Sequence, residues 1–277
     1  MQTSTPIYIV MEMACFVLIA TLLRISSAEI SIYQLTFLRY GSSFLLLLPF
    51  SFKLCPRMEI TDVKRHAPRS LLIYISALAW TYAIHSIDVG LAQALLYTKT
   101  ILLGALAGRL GSAAPSRVEW ICITTGVAGV ILAVSPSLNS APVPGAAAAL
   151  LSALTASVIA SQTRLIGAFQ APIMATLITS ALTCAFALPL AAISWRPLNL
   201  DEVILVCAIG LLTTISQALL FRVFPRSGLP RIAIIDLGRI ILATLAGVIF
   251  FKNAVTPSYI VGILIISLSI FSAIRFS

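Results

Sequence analysis

Apolar runs of near-constant length, separated by short breaks that carry charge, Pro or Gly, fill the chain from end to end. A helix needs about 20 mostly apolar residues to cross a hydrocarbon core. Read between the breaks, the pattern predicts ten helices at roughly 7–23, 32–52, 70–87, 90–107, 118–136, 144–163, 171–193, 202–222, 232–251 and 257–274. The third and fourth runs are separated only around SIDVG; fused, they would make one helix of 38 residues, nearly twice a span, so they count as two. The predicted fold class is an all-α integral membrane protein with ten transmembrane helices arranged as two inverted five-helix repeats.

The repeat is read from the order of the breaks. Sliding the chain on itself by 140 residues lays the first helix over the sixth and the fifth over the tenth, with Arg24 on Arg164, Thr36 on Thr176, Pro49 on Pro189, Ser76 on Ser216 and Lys99 on Arg239. Single identities mean little in so apolar a chain. The order of features carries more: each half runs helix, Pro-terminated helix, helix, helix with an internal cation, short turn, helix. Residues 1–138 form the first repeat and 139–277 the second, within one membrane domain. Five helices per half is an odd number, so the second half enters the membrane from the opposite side, as in many secondary transporters.

Composition agrees with this reading. Of 277 residues 60% are hydrophobic and 10% charged, with a mean hydropathy of +1.05, whereas a soluble domain carries about 25% charged residues. The net charge of +9 forms no dense or aromatic-interleaved patch, which excludes a nucleic-acid surface. It sets an orientation instead. Twelve of the eighteen Lys and Arg residues fall on one side of the predicted helices, three (Arg24, Arg196 and Lys252) on the other, and Arg39, Lys99 and Arg239 inside. Short cytoplasmic loops accumulate basic residues, so both termini are expected in the cytoplasm. The N-terminal run has no basic n-region and carries Glu12, so it reads as the first span and not as a signal peptide. The cysteines, Cys15, Cys55, Cys122, Cys184 and Cys207, have no metal or redox spacing. No nucleophile, metal or phosphate-loop motif appears, so the chain is not expected to be an enzyme and no cofactor is implied.

The informative residues are the polar ones inside apolar runs. ALLYTKTILLGALAG places Lys99 mid-run, and IIDLGRIILATLAG places Arg239 comparably. A charge at such depth costs at least about 2.5–3.5 kcal/mol unless it meets a partner or a wet cavity. Glu12 and Asp236 are two acids against three bases, Arg39 among them, and Asp236 stands one turn before Arg239. With Arg39 read as near an interface and structural, Lys99 is expected to be the unpaired cation, and Lys99 and Arg239 are expected to hold the anionic group of the guest, a carboxylate or phosphate. Gln93, Tyr97, Tyr82 and Gln217 are expected to supply hydrogen bonds, and Trp80 a stacking face. Glu12 and Asp236 are charge partners or a protonatable coupling group.

The run SIYQLTFLRYGSSFLLLLPF, with Arg39, and the ends of the halves, SRVEWICITTGVAGVIL at 116–132 and TPSYIVGILIISLSIF at 256–271, resemble the drug/metabolite transporter superfamily, EamA type. The resemblance implies a ten-helix metabolite transporter of the bacterial cytoplasmic (inner) membrane, with a substrate cavity between the halves lined by the third, fourth, eighth and ninth helices. Members often have Pro where Lys99 and Arg239 stand, and an acid after the fourth and ninth helices, where this chain has Gly108 with Arg109 and Phe251 with Lys252. The sugar-phosphate branch is similar in using buried Lys and Arg for anions. The expected function is secondary transport of a small polar, anionic metabolite by alternating access, with membrane lipids around it and proton or counter-substrate coupling open. The rivals are a carrier of amino acids or amine or adenosyl-type compounds, and a non-transporting scaffold subunit.

Overall fold

The computed structural model describes residues 5–26, 30–54, 60–87, 89–107, 114–138, 142–226, 229–251 and 257–276. Gly108, Arg109, Lys252 and Cys55, used in the sequence reading, lie outside them. Every regular element among the described residues is helical: α1 Thr5–Ile25, α2 Ile32–Leu54, α3 Ile60–Ser86, α4 Val89–Leu96, α5 Thr98–Leu106, α6 Arg117–Leu138, α7 Val143–Gly167, α8 Pro172–Ile193, α9 Leu200–Val223, α10 Leu229–Asp236, α11 Arg239–Phe251 and α12 Pro257–Phe276. Four stretches, Ile7–Ile25, Val143–Gly167, Pro172–Ile193 and Leu200–Val223, are long and apolar enough to cross a membrane.

The surface is the inverse of a water-soluble domain. Large apolar side chains such as Leu45, Ile193, Leu264 and Leu268 point outward, while Glu12, Arg39, His66 and Arg69 are buried. Polar groups inside and hydrocarbon outside is the arrangement that bilayer solvation favours. Helix packing is between the halves as much as within them: α6 lies along α12, α2 along α8, α3 along α7 and α1 along α9. A core running from Ile19 and Leu23 through Ile84, Leu91 and Tyr97 to Leu237 and Ile240 ties the halves together.

Two elements depart from the sequence expectation. The third helix begins at Ile60 and not near 70, so Arg69, assigned to a loop by its charged neighbourhood, is inside the fold. Asp62 in the first turn suits the positive end of the helix dipole, and Lys64, Arg65 and Ala67 are good helix formers. Pro68 has no N–H to return to the carbonyl of Lys64, but one missing bond does not end the helix. The predicted fourth and ninth helices are each interrupted just before their cation. At Tyr97, whose N–H is shared between the carbonyls of Gln93 and Ala94, both at 3.1 Å, the ladder tightens, and Thr100 N–H returns to Tyr97 O at 2.9 Å. The Thr98 hydroxyl gives Leu95 O a bond at 2.8 Å. At the second break Leu237 N–H reaches Ile234 O at 3.2 Å, Gly238 N–H reaches Ile235 O at 2.9 Å, and Ile240 N–H returns to Leu237 O at 3.1 Å. Both interruptions are therefore short passages that contain 3-10-type bonds, not open chain. Gly126 on α6 admits Leu237 to this place: a Cβ there would stand 2.5 Å from Leu237 Cδ1.

Candidate functional site

The interrupted helices border a cavity of about 160 Å³ whose walls come from α1, α2, α3, α4, α5, α7, α9, α10 and α11. That is room for on the order of ten waters. Helical periodicity builds the walls. On α3 the lining residues are Arg69, Ile73, Ser76, Ala77 and Trp80; on α7 Ser152, Ala156, Ile159, Ala160 and Thr163; on α9 Thr213, Ser216, Gln217 and Leu220. Spacings of three and four put each set on one helix face.

One part of the wall is a quartet of charges. Lys99 Nζ lies 2.7 Å from Asp236 Oδ2. The Arg239 guanidinium pairs with Glu12 through NH2, and its Nε lies 2.6 Å from Asp236 Oδ1 in an ionic contact without hydrogen-bond alignment. The Ser216 hydroxyl donates to Glu12 Oε1 at 3.0 Å, and the guanidinium carbon stands 4.4 Å from the centre of the Phe16 ring. Two acids meet two bases across four helix segments, and the formal sum is zero. This corrects the expectation that Lys99 is unpaired: Asp236, at the end of α10, is one turn from Arg239, and the packing of α5 against α10 brings Lys99 to its other oxygen.

The opposite arrangement holds for two arginines in the same cavity. Arg39, read from sequence as an interfacial structural residue, is buried and gives Nε–H to Thr213 Oγ1 at 2.9 Å. Arg69 gives Nε–H and an NH2 proton to Thr163 Oγ1 at 3.1 and 3.0 Å, an NH1 proton to Thr179 Oγ1 at 2.9 Å, and a longer NH2 contact at 3.4 Å to Gln217 Oε1. Its guanidinium carbon stands 4.5 Å from the Phe221 ring centre, and that of Arg39 5.3 Å from the Tyr40 ring centre. Among the described residues neither has a carboxylate partner. Arg69 was missed because its charged neighbours read as a loop; the signal that identifies it is the stripe Arg69, Ile73, Ser76, Trp80 at helical spacing.

Behind Arg69 a second cavity, about 380 Å³, is lined by Asp62, Arg65, His66, Gln162, Leu165, Ile166, Phe169 and Gln170. His66 stands between the two. Its Nδ1 lies 3.0 Å from Thr179 Oγ1 and its Nε2 2.7 Å from Gln170 Oε1. The amide oxygen can only accept, so Nε2 carries the proton and Nδ1 accepts from Thr179, whose oxygen receives Arg69. One layer of hydrogen bonds thus separates the cavities.

The remaining sequence candidates divide. Trp80, Gln217, Glu12 and Asp236 line the central cavity, and the Trp80 ring centre is 5.8 Å from that of Phe16. Tyr97 is fully buried, its hydroxyl without a hydrogen-bond partner among the described residues and its ring centre 5.9 Å from Lys99 Nζ. Gln93 is buried in α4 with neither side-chain polar atom bonded among the described residues, and does not border the cavity. Tyr82 corrects the expectation most plainly: two residues from Trp80 on a helix, it faces away and is 41% exposed. Among the described residues no group of three or more His, Cys, Asp or Glu is placed to hold a metal ion, and Cys15, Cys122, Cys184 and Cys207 are free thiols.

No family model matches the chain, and no curated protein matches it. Its fold is nevertheless found among solved structures. A crystal structure described only as that of a protein superposes with a TM-score of 0.79 over 98% of this chain and 99% of that one, at 17% sequence identity. The two share a fold along their full lengths.

Proposed function

We propose that this chain is a secondary transporter of a small polar metabolite bearing a carboxylate or phosphate, working by alternating access without ATP in a cytoplasmic membrane of a bacterium. The observation that carries the reading is the central cavity: six ionisable side chains, Glu12, Arg39, Arg69, Lys99, Asp236 and Arg239, line a space enclosed by otherwise apolar helices. Ionisable groups at such depth mark substrate or ion pathways in membrane proteins. A scaffold has no use for the space, although the mutual pairing of Lys99 and Arg239 with acids is what a scaffold would also need.

The packing supports two inverted repeats. Exchanging the halves at an offset of 140 residues maps the α2–α8 and α6–α12 contacts onto themselves and the α1–α9 contact onto α7–α3. The same exchange lays the Tyr97 interruption on that at Leu237. Paired interrupted helices at corresponding places, beside a central site, are the arrangement of inverted-repeat carriers. Ten spans, with α4–α5 and α10–α11 counted as one interrupted span each, and cytoplasmic termini complete the reading. Removing Arg69 from the loop count leaves eleven basic residues against three, so the orientation argument stands. With the sequence resemblance, these features favour the EamA type of the drug/metabolite transporter superfamily.

A second reading, a carrier of amino acids or amines, rests on the Glu12 and Asp236 carboxylates in the same wall. Counter-flow separates the two. Purified protein in liposomes preloaded with succinate, phosphate, glutamate or putrescine is expected to accumulate the matching labelled solute for an anion, and not in empty liposomes. Accumulation of putrescine alone would replace the anion reading by the amine one, and accumulation of none would remove transport of these classes.

A further inference from the structure

Arg39 and Arg69 hold the substrate's anionic group, and the quartet that first drew attention does not: we propose this as the division of labour inside the cavity. The inference rests on the transport reading and adds the identity of the anion site. The argument begins with charge. Lys99 and Arg239 are matched by Asp236 and Glu12, so that part of the wall exerts little net field. Among the described residues Arg39 and Arg69 meet only hydroxyl, amide and ring partners. A buried guanidinium without a counter-ion is costly, and two in one cavity add their repulsion.

Geometry brings the two together. Their partners on α9, Thr213 and Gln217, are four residues apart, one above the other on one helix face and separated by a rise of about 6 Å. A group with two or more charged oxygens can bridge guanidiniums at adjacent turns. Arg39 has donors to give: apart from Nε, its nitrogens have no hydrogen-bond partner among the described residues. Arg69 is nearly saturated, with contacts to Thr163, Thr179 and Gln217, so its fork is held in one orientation while its charge stays unneutralised. Arg39 is the mobile clamp and Arg69 the fixed one. Ser76 and Ser152, whose hydroxyls are 3.1 Å apart, and Trp80 complete a wall suited to the uncharged part of a compact solute. The ligand class is a small carboxylate or phosphate whose body fits about 160 Å³.

The test is thermal melting of the purified full-length protein in neutral detergent with succinate, inorganic phosphate, glutamate, putrescine or phosphatidylglycerol, since a ligand for the folded state raises the apparent melting temperature. At least one soluble anion is expected to raise it in the parent. Arg39→Gln, whose guanidinium has one protein bond, is expected to weaken that anion's apparent affinity roughly tenfold or more, the loss of one charge-assisted contact. Arg69→Gln should do the same; if it does not fold, Arg69→Lys, which keeps the charge but not the fork, should fold and lose affinity by a smaller factor. Lys99→Met paired with Asp236→Asn should leave the anion shift in place. No shift with any soluble anion, a shift unchanged in Arg39→Gln, or a shift with phosphatidylglycerol alone would each overturn the proposal. Counter-flow keeps the two claims apart: anion binding through the arginines without counter-flow would sink transport and leave the site. Counter-flow of an anion undiminished in Arg39→Gln would sink the site and leave transport.

Discussion

The quartet of Glu12, Lys99, Asp236 and Arg239 and the pair of Arg39 and Arg69 lie in one cavity and treat buried charge in opposite ways. In the quartet each cation has a carboxylate, at 2.7 Å for Lys99 and 2.6 Å for Arg239 Nε. In the pair each cation has only neutral acceptors among the described residues. The difference teaches that depth in the membrane does not by itself identify a binding charge. A charge that is deep and matched joins helices; one that is deep and unmatched waits for a partner. The quartet joins α1, α5, α10 and α11, and so ties the segment after the first interruption to both segments flanking the second.

The comparison can be broken most decisively at Arg239. Arg239→Gln leaves Glu12 and Asp236 with Lys99 alone, and breaking such a buried network is expected to cost about 3–5 kcal/mol. The readout is a large fall in melting temperature in detergent, and adding Glu12→Gln should recover much of it. Recovery would mark the quartet as structural; a single variant as stable as the parent would show that the acids were never balancing that charge. Next in size is Gly210, one turn from Thr213, where α2 and α9 come so close that a Cβ would stand 1.9 Å from Ser42 Oγ and 2.7 Å from its Cβ. Gly210→Ala is expected to cost about 1–3 kcal/mol by overpacking, and Ser42→Gly in the same chain should return part of it. The melting curves of the two variants and their combination decide this. Because α2 carries Arg39 and α9 carries Thr213, Gly210→Ala should also weaken anion stabilisation, as no purely peripheral packing change would.

A double-mutant cycle on Lys99→Met and Asp236→Asn should return a coupling of about 0.5–3 kcal/mol, as for residues sharing one ionic network. Additivity would separate Lys99 from the quartet and return it to the list of free cations. The smallest stability effect belongs to Arg39. Arg39→Gln loses one hydrogen bond and removes an unbalanced charge, and its stability should stay within about 1 kcal/mol of the parent, while the anion-dependent rise in melting temperature should need a roughly tenfold or more higher anion concentration. A large destabilisation there would move Arg39 from the binding group to the structural one.

Much of the fold was readable along the chain. Nine of the ten apolar runs correspond to helical segments within a few residues of their predicted ends, two of these runs being interrupted, and the third begins about ten residues early. It does so because Lys64, Arg65 and Arg69 made a helical turn look like a connection. Glu12, Trp80, Gln217 and Asp236 were legible as cavity residues, since a polar group inside an apolar run has few other reasons to be there. Tyr82 was misassigned because its distance from Trp80 along the chain was small while its angle around the helix was not. Arg39 was set aside on depth alone, and depth along one helix says nothing about which neighbour the side chain meets.

Periodicity and composition, which are properties of successive residues, suffice to say that the chain is built of apolar helices and that a few ionisable groups lie deep within them. They depend on the cost of exposing backbone and charge to hydrocarbon, and that cost is local. Which cation meets which acid depends on contacts between residues as far apart as Glu12 and Arg239, or Lys99 and Asp236, and on two short 3-10 passages that turn the chain just before each cation. Coulomb pairing over a few ångströms is settled only when the helices pack, and it is packing that left Arg39 and Arg69 without an acid among the described residues.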